Sequence, residues 1–172
     1  MNTQGTDRVA ESEVESRGGK YLSFFLDDEE YGIEILRIRE IIGLLPVTVV
    51  PRTPDFVRGV VNLRGKVIPV VDLRVKFGMD PVPETEETCI IVVQSQENLM
   101  GVMVDKVSEV LDINGEEIVD APSLGHDVNT DYILGIGKSE GGIKLLLDIE
   151  KALMTEGDVD LSQLRAAVDS AA

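Results

Sequence analysis

Reactive and metal-binding side chains are scarce in this 172-residue chain, which contains one cysteine and one histidine. One cysteine cannot form an internal disulfide, so nothing in the sequence points to an exported, disulfide-bonded protein. One Cys and one His also cannot supply a zinc site of the usual Cys/His spacing. His126 has no nucleophile motif nearby and Cys89 opens an apolar strand. We therefore expect a surface-loop histidine and a small core residue rather than catalytic groups.

Long apolar runs are also missing. The longest, such as residues 89–93, are far shorter than the roughly 20 residues that a membrane-spanning helix needs. The first 20 residues are polar and carry no apolar signal segment. These absences predict a soluble cytoplasmic protein without direct membrane insertion.

Basic residues are few, since 16 Lys and Arg stand against 32 Asp and Glu, for a net charge of −16. Nucleic acid and anionic membrane surfaces are poor partners for such a chain, because both attract clustered Lys and Arg. The charge is uneven, however, and residues 37–76 hold eight bases and three acids. A basic segment in an acidic protein suggests a face for an acidic protein surface, although any single base fits a solvated strand face equally well.

Short segments rich in β-branched residues dominate the middle of the chain and predict a mostly β fold. The predicted strands are Tyr21–Leu26, Tyr31–Ile33, Val47–Val50, Val60–Leu63, Val67–Val71, Cys89–Gln94, Leu99–Val104, Glu109–Ile113, Ile133–Ile136 and Ile143–Leu147. Helical spacing or capping signals predict a few short helices at Glu34–Ile42, Leu73–Phe77 and Asp148–Met154.

Three regions are predicted along the chain. Residues 1–19 are rich in Glu, Ser and Gly and are expected to form a disordered acidic tail. Residues 20–155 form the folded body, and residues 156–172 form a tail or short helix. The proline-rich, acidic stretch Asp80–Glu87 is predicted to be a linker. It suggests two small barrels with a soft division near residues 80–88, because we expect terminal strands to cross between them.

The most informative segment is Gly59–Arg74, two short apolar strands joined by a polar turn over Asn62–Lys66. A tight turn needs a glycine and a small polar residue, but it does not need an arginine before Gly65. We therefore interpret Arg64 as free to contact another molecule. A phosphate-binding loop is excluded, because the glycine spacing is wrong by one residue and Val67 stands where a Ser or Thr must ligate magnesium.

This segment resembles the "GVVNLRG-x-x-IPVxDLR" signature of CheW-type domains, the coupling proteins of bacterial chemotaxis. The match continues upstream through Pro51, Pro54 and Phe56 and through residues 28–41. Downstream it includes residues 101–107 and 132–137. Several motifs in the right order over most of the chain are far more specific than one short motif.

The resemblance implies two SH3-like five-stranded β-barrels that share a core, with no catalytic activity, cofactor or metal. It implies an adaptor that couples transmembrane chemoreceptors to the histidine kinase CheA. The implied partners are the CheA regulatory domain, the cytoplasmic tips of methyl-accepting chemoreceptors and, through ring self-association, other copies beneath the receptor array. A paralogous chemosensory pathway, for instance one controlling twitching, stays open. So does an enzyme on a small barrel, which loss of turnover on mutating His126 or Cys89 would reveal.

The resemblance also carries partner-binding roles onto particular positions: Arg64, Glu40, Ile38, Gly59, Asn62, Val107 and Val110. Glu40, on the first predicted helix, and Arg64 match positions linked to receptor and kinase contact. Structural alternatives exist for most of them. The three apolar residues also fit a core-facing pattern, the glycine fits a strained backbone position, and Glu40 fits a surface ion pair with a neighbouring base.

Overall fold

A computed structural model describes residues 17–95, 98–120, 132–139 and 142–154 of the chain. The strands are β1 (Gly19–Leu26), β2 (Glu29–Glu34), β3 (Ile38–Gly43), β4 (Val57–Leu63), β5 (Lys66–Asp72), β6 (Cys89–Ser95), β7 (Asn98–Val104), β8 (Lys106–Ile113), β9 (Ile118–Val119), β10 (Ile133–Ser139) and β11 (Gly142–Leu147). The helices are α1 (Leu73–Lys76), α2 (Ile149–Met154) and two 3-10 turns, Ile35–Arg37 and Gly115–Glu117. The predicted C-terminal tail, His126 and most of the predicted N-terminal tail lie outside the described residues.

The strands form two sheets. The first has six strands in the order β8-β1-β2-β11-β10-β9, and the second has five in the order β3-β6-β7-β5-β4. The pairs β2–β11 and β5–β7 are parallel, and the other neighbours are antiparallel. The predicted mostly β fold with a few short helices is confirmed.

Each sheet curves around an apolar cluster of its own. In the second sheet, Ile42 of β3 packs against the cluster that contains Val61 of β4, although these strands lie at opposite edges. In the first sheet, Ile113 of β8 and Ile118 of β9 likewise share one cluster across the two edges. A third and larger cluster takes buried residues from both sheets. The expected pair of barrels sharing a core is therefore present, with one barrel of five strands and one of six.

The predicted helix over Glu34–Ile42 is wrong. The chain leaves β2 through the 3-10 turn and continues as β3, which pairs with β6 and carries one β-bulge, between Ile38 and Glu40. Half-buried and exposed residues alternate along β3, as expected for a strand with one face on the core. β-Branched isoleucines favour a strand, and the unpaired edge of β6 offers hydrogen bonds that a short helix here would leave unused.

Two other predictions need correction. Of the predicted strand Val47–Val50, only Thr48 pairs, in a single bridge with Val60. β9 has two residues and was not predicted, because two residues are too few to show a period.

The short helices α1 and α2 are confirmed close to their predicted bounds, and the carboxylates of Asp72 and Asp148 accept hydrogen bonds from their first turns. No helix in the described ranges is long and apolar enough to cross a membrane.

The stretch Asp80–Glu87 runs without strand or helix between α1 and β6. It does not separate the two sheets, because β5 before it and β7 after it are hydrogen-bonded neighbours. The chain instead passes between the sheets after β2, where it continues into β3, and after β7, where it continues into β8. The first hairpin therefore lies in the barrel that holds β8 to β11.

Candidate functional site

The hairpin between β4 and β5 ends in a two-residue turn formed by Arg64 and Gly65. Both residues have positive φ, +51° and +87°, which is the backbone of a type I′ turn. The Oδ1 atom of Asn62 accepts a hydrogen bond from the Gly65 backbone N–H at 2.8 Å and fixes this turn. The turn holds the side chain of Arg64 away from the sheet, where it is 72% exposed.

The guanidinium of Arg64 binds the carboxylate of Glu40 through two parallel hydrogen bonds. Nη1 donates to Oε1 and Nη2 donates to Oε2, each at 2.7 Å. Arg64 therefore has a partner within the chain, which the sequence did not reveal, and its contact with another molecule stays a prediction. The hydrogen bond from Arg64 lowers the pKa of Glu40, and the same bond raises the pKa of Arg64.

This pair, which we call the Arg64–Glu40 clasp, joins the two edges of the five-stranded sheet. Glu40 lies on β3 at one edge, and Arg64 lies at the tip of the hairpin that contains β4 at the other. Closure of the barrel brings these edges together, and residues distant in sequence can then meet. The clasp thus presents an arginine of fixed orientation at the rim of the barrel.

The backbone at position 59 itself requires a glycine. Its φ is +138°, and a Cβ at this position would lie 2.1 Å from the carbonyl oxygen of Thr48. The close approach is made by the backbone hydrogen bonds between Thr48 and Val60. The alternative of a special backbone position is therefore correct, and it does not depend on a partner.

The apolar candidates divide into half-buried and exposed residues. Ile38 on β3 and Val107 on β8 are half-buried and pack against the core that both sheets share. Val110 on β8 is 52% exposed. Two exposed apolar side chains on or directly before β3, Leu36 at 91% and Ile41 at 42%, were not predicted as site residues. A strand assignment for residues 38–43 would have predicted that Ile41 is exposed, because alternate side chains of a strand point to opposite faces and Ile41 lies opposite Ile38.

The candidates lie on edge strands of two different sheets. Ile38, Glu40 and Ile41 are on β3, an edge of the second sheet, whereas Val107 and Val110 are on β8, an edge of the first. Exposed apolar residues beside fixed charges are the usual composition of a protein-binding surface. Within the ranges that the structure describes, no group of three or more His, Cys, Asp or Glu side chains could hold a metal ion.

Comparisons with known proteins identify the family. The model of the CheW-like domain matches residues 20–156. The chain is 41% identical over 152 residues to the chemotaxis protein CheW of Klebsiella aerogenes, covering 88% of this chain and 92% of the relative. It is 36% identical over 134 residues to chemotaxis protein CheW of Helicobacter pylori, covering 78% and 81%.

A solved structure is similar over the same region. The crystal structure of the scaffolding protein TtCheW from Thermoanaerobacter tengcongensis matches with a TM-score of 0.74 and 30% sequence identity. The match covers 82% of this chain and 96% of that one. With its two joined barrels and the NLRG turn at a barrel rim, the chain belongs to the CheW family.

Proposed function

We propose that this protein is a non-catalytic adaptor that couples transmembrane chemoreceptors to the histidine kinase CheA in a chemotaxis signalling array. The family and its chemotaxis relatives support an adaptor of this kind. The observation that carries the proposal is the Arg64–Glu40 clasp, a fixed and exposed arginine beside an edge strand with exposed apolar side chains. The adaptor acts on the cytoplasmic side, recruited beneath the membrane receptors.

The clasp orients the side chain of Arg64 before a partner binds. A guanidinium has five N–H donors in a rigid plane, and the two bonds to Glu40 use two of them. The remaining donors lie at the outer edge of the group and can bind a carboxylate or a carbonyl of the partner. Because Glu40 already fixes the orientation of the side chain, less conformational entropy is lost on binding.

Apolar contact supplies most of the affinity in this proposal. Ile41 and Val110 are exposed on the two edge strands, and Ile38 and Val107 are half-buried on the same strands and pack against the shared core. Asn62 contributes by holding the turn that carries Arg64. Each interface of roughly 1,200 Å² or less would be weak alone. Many copies in one array would then raise the effective affinity through multivalency.

The test measures binding of the full chain to a CheA regulatory domain and, separately, to a receptor cytoplasmic fragment. We expect the natural protein to bind both, and we expect Arg64→Ala to weaken at least one partner by about tenfold or more without lowering Tm appreciably. Lys66→Ala is the matched control, because it removes an exposed base from the same hairpin. It should bind both partners normally.

A charge-exchange variant distinguishes a direct contact of Arg64 with the partner from a purely structural role of the clasp. The double variant Arg64→Glu with Glu40→Arg keeps an ion pair between the same two positions but exchanges the charges. If Arg64 touches the partner, the double variant stays as weak as Arg64→Ala. Full recovery of binding would reduce the clasp to a structural link, and failure of the natural protein to bind either partner at tens of micromolar would refute the adaptor proposal.

A further inference from the structure

The two halves of the chain repeat the same order of strands and α-helices, although each has its 3-10 turn at a different place. Half-chain 1, residues 17–79, has a hairpin (β1–β2), a single strand (β3), the Thr48 bridge, a second hairpin (β4–β5) and helix α1. Half-chain 2, residues 88–154, has a hairpin (β6–β7), a single strand (β8), the two-residue β9, a second hairpin (β10–β11) and helix α2. The exposed stretch Asp80–Glu87 lies between them.

The strand registers of the halves agree residue by residue. In the first sheet Gly32 pairs with Leu146, which in turn pairs with Gly135. In the second sheet the same three places are held, in order, by Gly101, Val70 and Gly59. The register shifts also occur at equivalent positions. One pair lies next to Gly59 and Gly135, and the other lies in the pairings of β3 with β6 and of β8 with β1.

Identical residues occupy some of these equivalent positions. They include the glycine pairs Gly32/Gly101 and Gly59/Gly135 and the helix-capping pair Asp72/Asp148. Gly59 and Gly135 both lie close to the carbonyl oxygen of a bridging residue. A Cβ on Gly59 would lie 2.1 Å from that of Thr48, and one on Gly135 would lie 3.0 Å from that of Val119 and 2.5 Å from the Ile118 side chain. Thr48 and Val119 are themselves the equivalent bridging residues.

The hairpins are exchanged between the halves. Hairpin β1–β2 of half-chain 1 pairs with β8 and β11 of half-chain 2, and hairpin β6–β7 of half-chain 2 pairs with β3 and β5 of half-chain 1. In the described part of the chain, the pairings inside one half are its hairpins and the short pairings of Thr48 and β9. Each of the three apolar clusters contains residues from both halves.

We infer that the chain is two copies of one structural unit, each completing its barrel with the first hairpin of the other, so that the halves bind each other as separate polypeptides. The partner surface of each half is the pair of open strand edges and apolar faces that the other half covers. A half alone would have isolated hairpins, which are marginally stable at best in water. The covalent link through residues 80–87 is therefore dispensable for the native fold.

The experiment inserts the recognition sequence of a site-specific protease between Pro83 and Glu84 of the full chain. The uncut insertion variant is the control. After cutting, we expect both halves to elute together at the volume of the uncut protein. The Tm of the cut protein should rise with protein concentration, because folding has become an association, whereas the Tm of the control should not.

Separation of the halves in denaturant completes the test. Each half alone should give no cooperative melt, and mixing the two should restore one. Dissociation on cutting under native conditions, or a cooperative melt from either half by itself, would overturn the inference. If the insertion variant does not fold, a circular permutant that begins at residue 84 and ends at residue 83, joined through both tails, replaces it. An unfolded permutant would contradict a dispensable link.

Discussion

The backbone at Gly59 leaves no room for a side chain. Its φ of +138° is a conformation that L side chains rarely adopt, and the Thr48 carbonyl oxygen occupies the place of a Cβ. Strand β4 can accept the bridge from Thr48 because no side chain stands between them. Gly65, at the turn, also has a positive φ, but no atom lies within 4 Å of its Cβ position.

We expect Gly59→Ala to lower the free energy of unfolding by more than about 2 kcal/mol, through strain and steric overlap together. Gly65→Ala is the matched control, because it introduces the φ strain alone and should cost about 1–2 kcal/mol. Urea denaturation of both variants measures the difference. Equal losses would mean that the contact with Thr48 relaxes easily.

The sequence allowed Arg64 and Glu40 to be selected as site residues, but it did not reveal that they bind each other. The two residues are 24 positions apart, and their contact exists only because the five-stranded sheet closes. Barrel closure is a property of the whole sheet, and local periodicity does not report it. The role of Gly59 could be stated only as an alternative, since the approach of Thr48 is likewise a tertiary contact.

Among the elements, the short helix α1 depends on its N-cap, Asp72, which is the last residue of β5. Asp72 is buried, and its Oδ1 atom accepts hydrogen bonds from the backbone N–H groups of Arg74 and Val75. A four-residue helix has few internal hydrogen bonds, so the cap is a large part of what defines it.

We expect Asp72→Ala to lower the free energy of unfolding by about 0.5–2 kcal/mol through loss of this cap. Asp72→Asn keeps an oxygen acceptor and should retain most of the stability. Thermal unfolding of the two variants provides the comparison. If the Asn variant is as unstable as the Ala variant, the charge facing Arg58 at 3.9 Å matters more than the cap.

Elements with strong local signals were predictable and β3 was not. Alternating β-branched residues located most strands, and Asp148 marked the start of α2. In β3 the isoleucines at 38, 41 and 42 fit a helical spacing as well as a bulged strand. The open edge of β6, which is remote in sequence, decides between them.

At the scale of the whole molecule, a buried arginine ties the two sheets together. The side chain of Arg74 on α1 is 6% exposed, and its Nη1 atom binds the carboxylates of Asp27 and Asp105 while its Nε atom donates to the Asp80 carbonyl oxygen. Asp27 lies in the β1–β2 turn of the first sheet, and Asp105 lies where the chain passes from β7 to β8. The cluster therefore joins α1 to the β1–β2 turn and to the point where the chain passes from the second sheet to the first.

We expect Arg74→Met to lower the free energy of unfolding by about 2 kcal/mol or more, because Asp27 and Asp105 lose their partner. The loss should be smaller than for a fully buried pair, since Asp27 is 57% exposed. Adding Asp27→Asn and Asp105→Asn to Arg74→Met should recover part of it. A triple variant less stable than Arg74→Met would show that the carboxylates have other stabilising partners. Chemical denaturation at neutral pH measures the free energy of unfolding of the natural protein, of Arg74→Met and of the triple variant.

The exchange of hairpins has a consequence for synthesis on the ribosome. β1 and β2 emerge first, yet their sheet neighbours β8 and β11 are among the last segments to be made. Neither barrel can close until much of the second half has emerged, so the apolar side chains of the first hairpin wait without a sheet around them. Pairings of such long sequence separation also slow folding. We therefore expect the nascent chain to expose apolar surface, and to be prone to aggregation, until much of the second half has emerged.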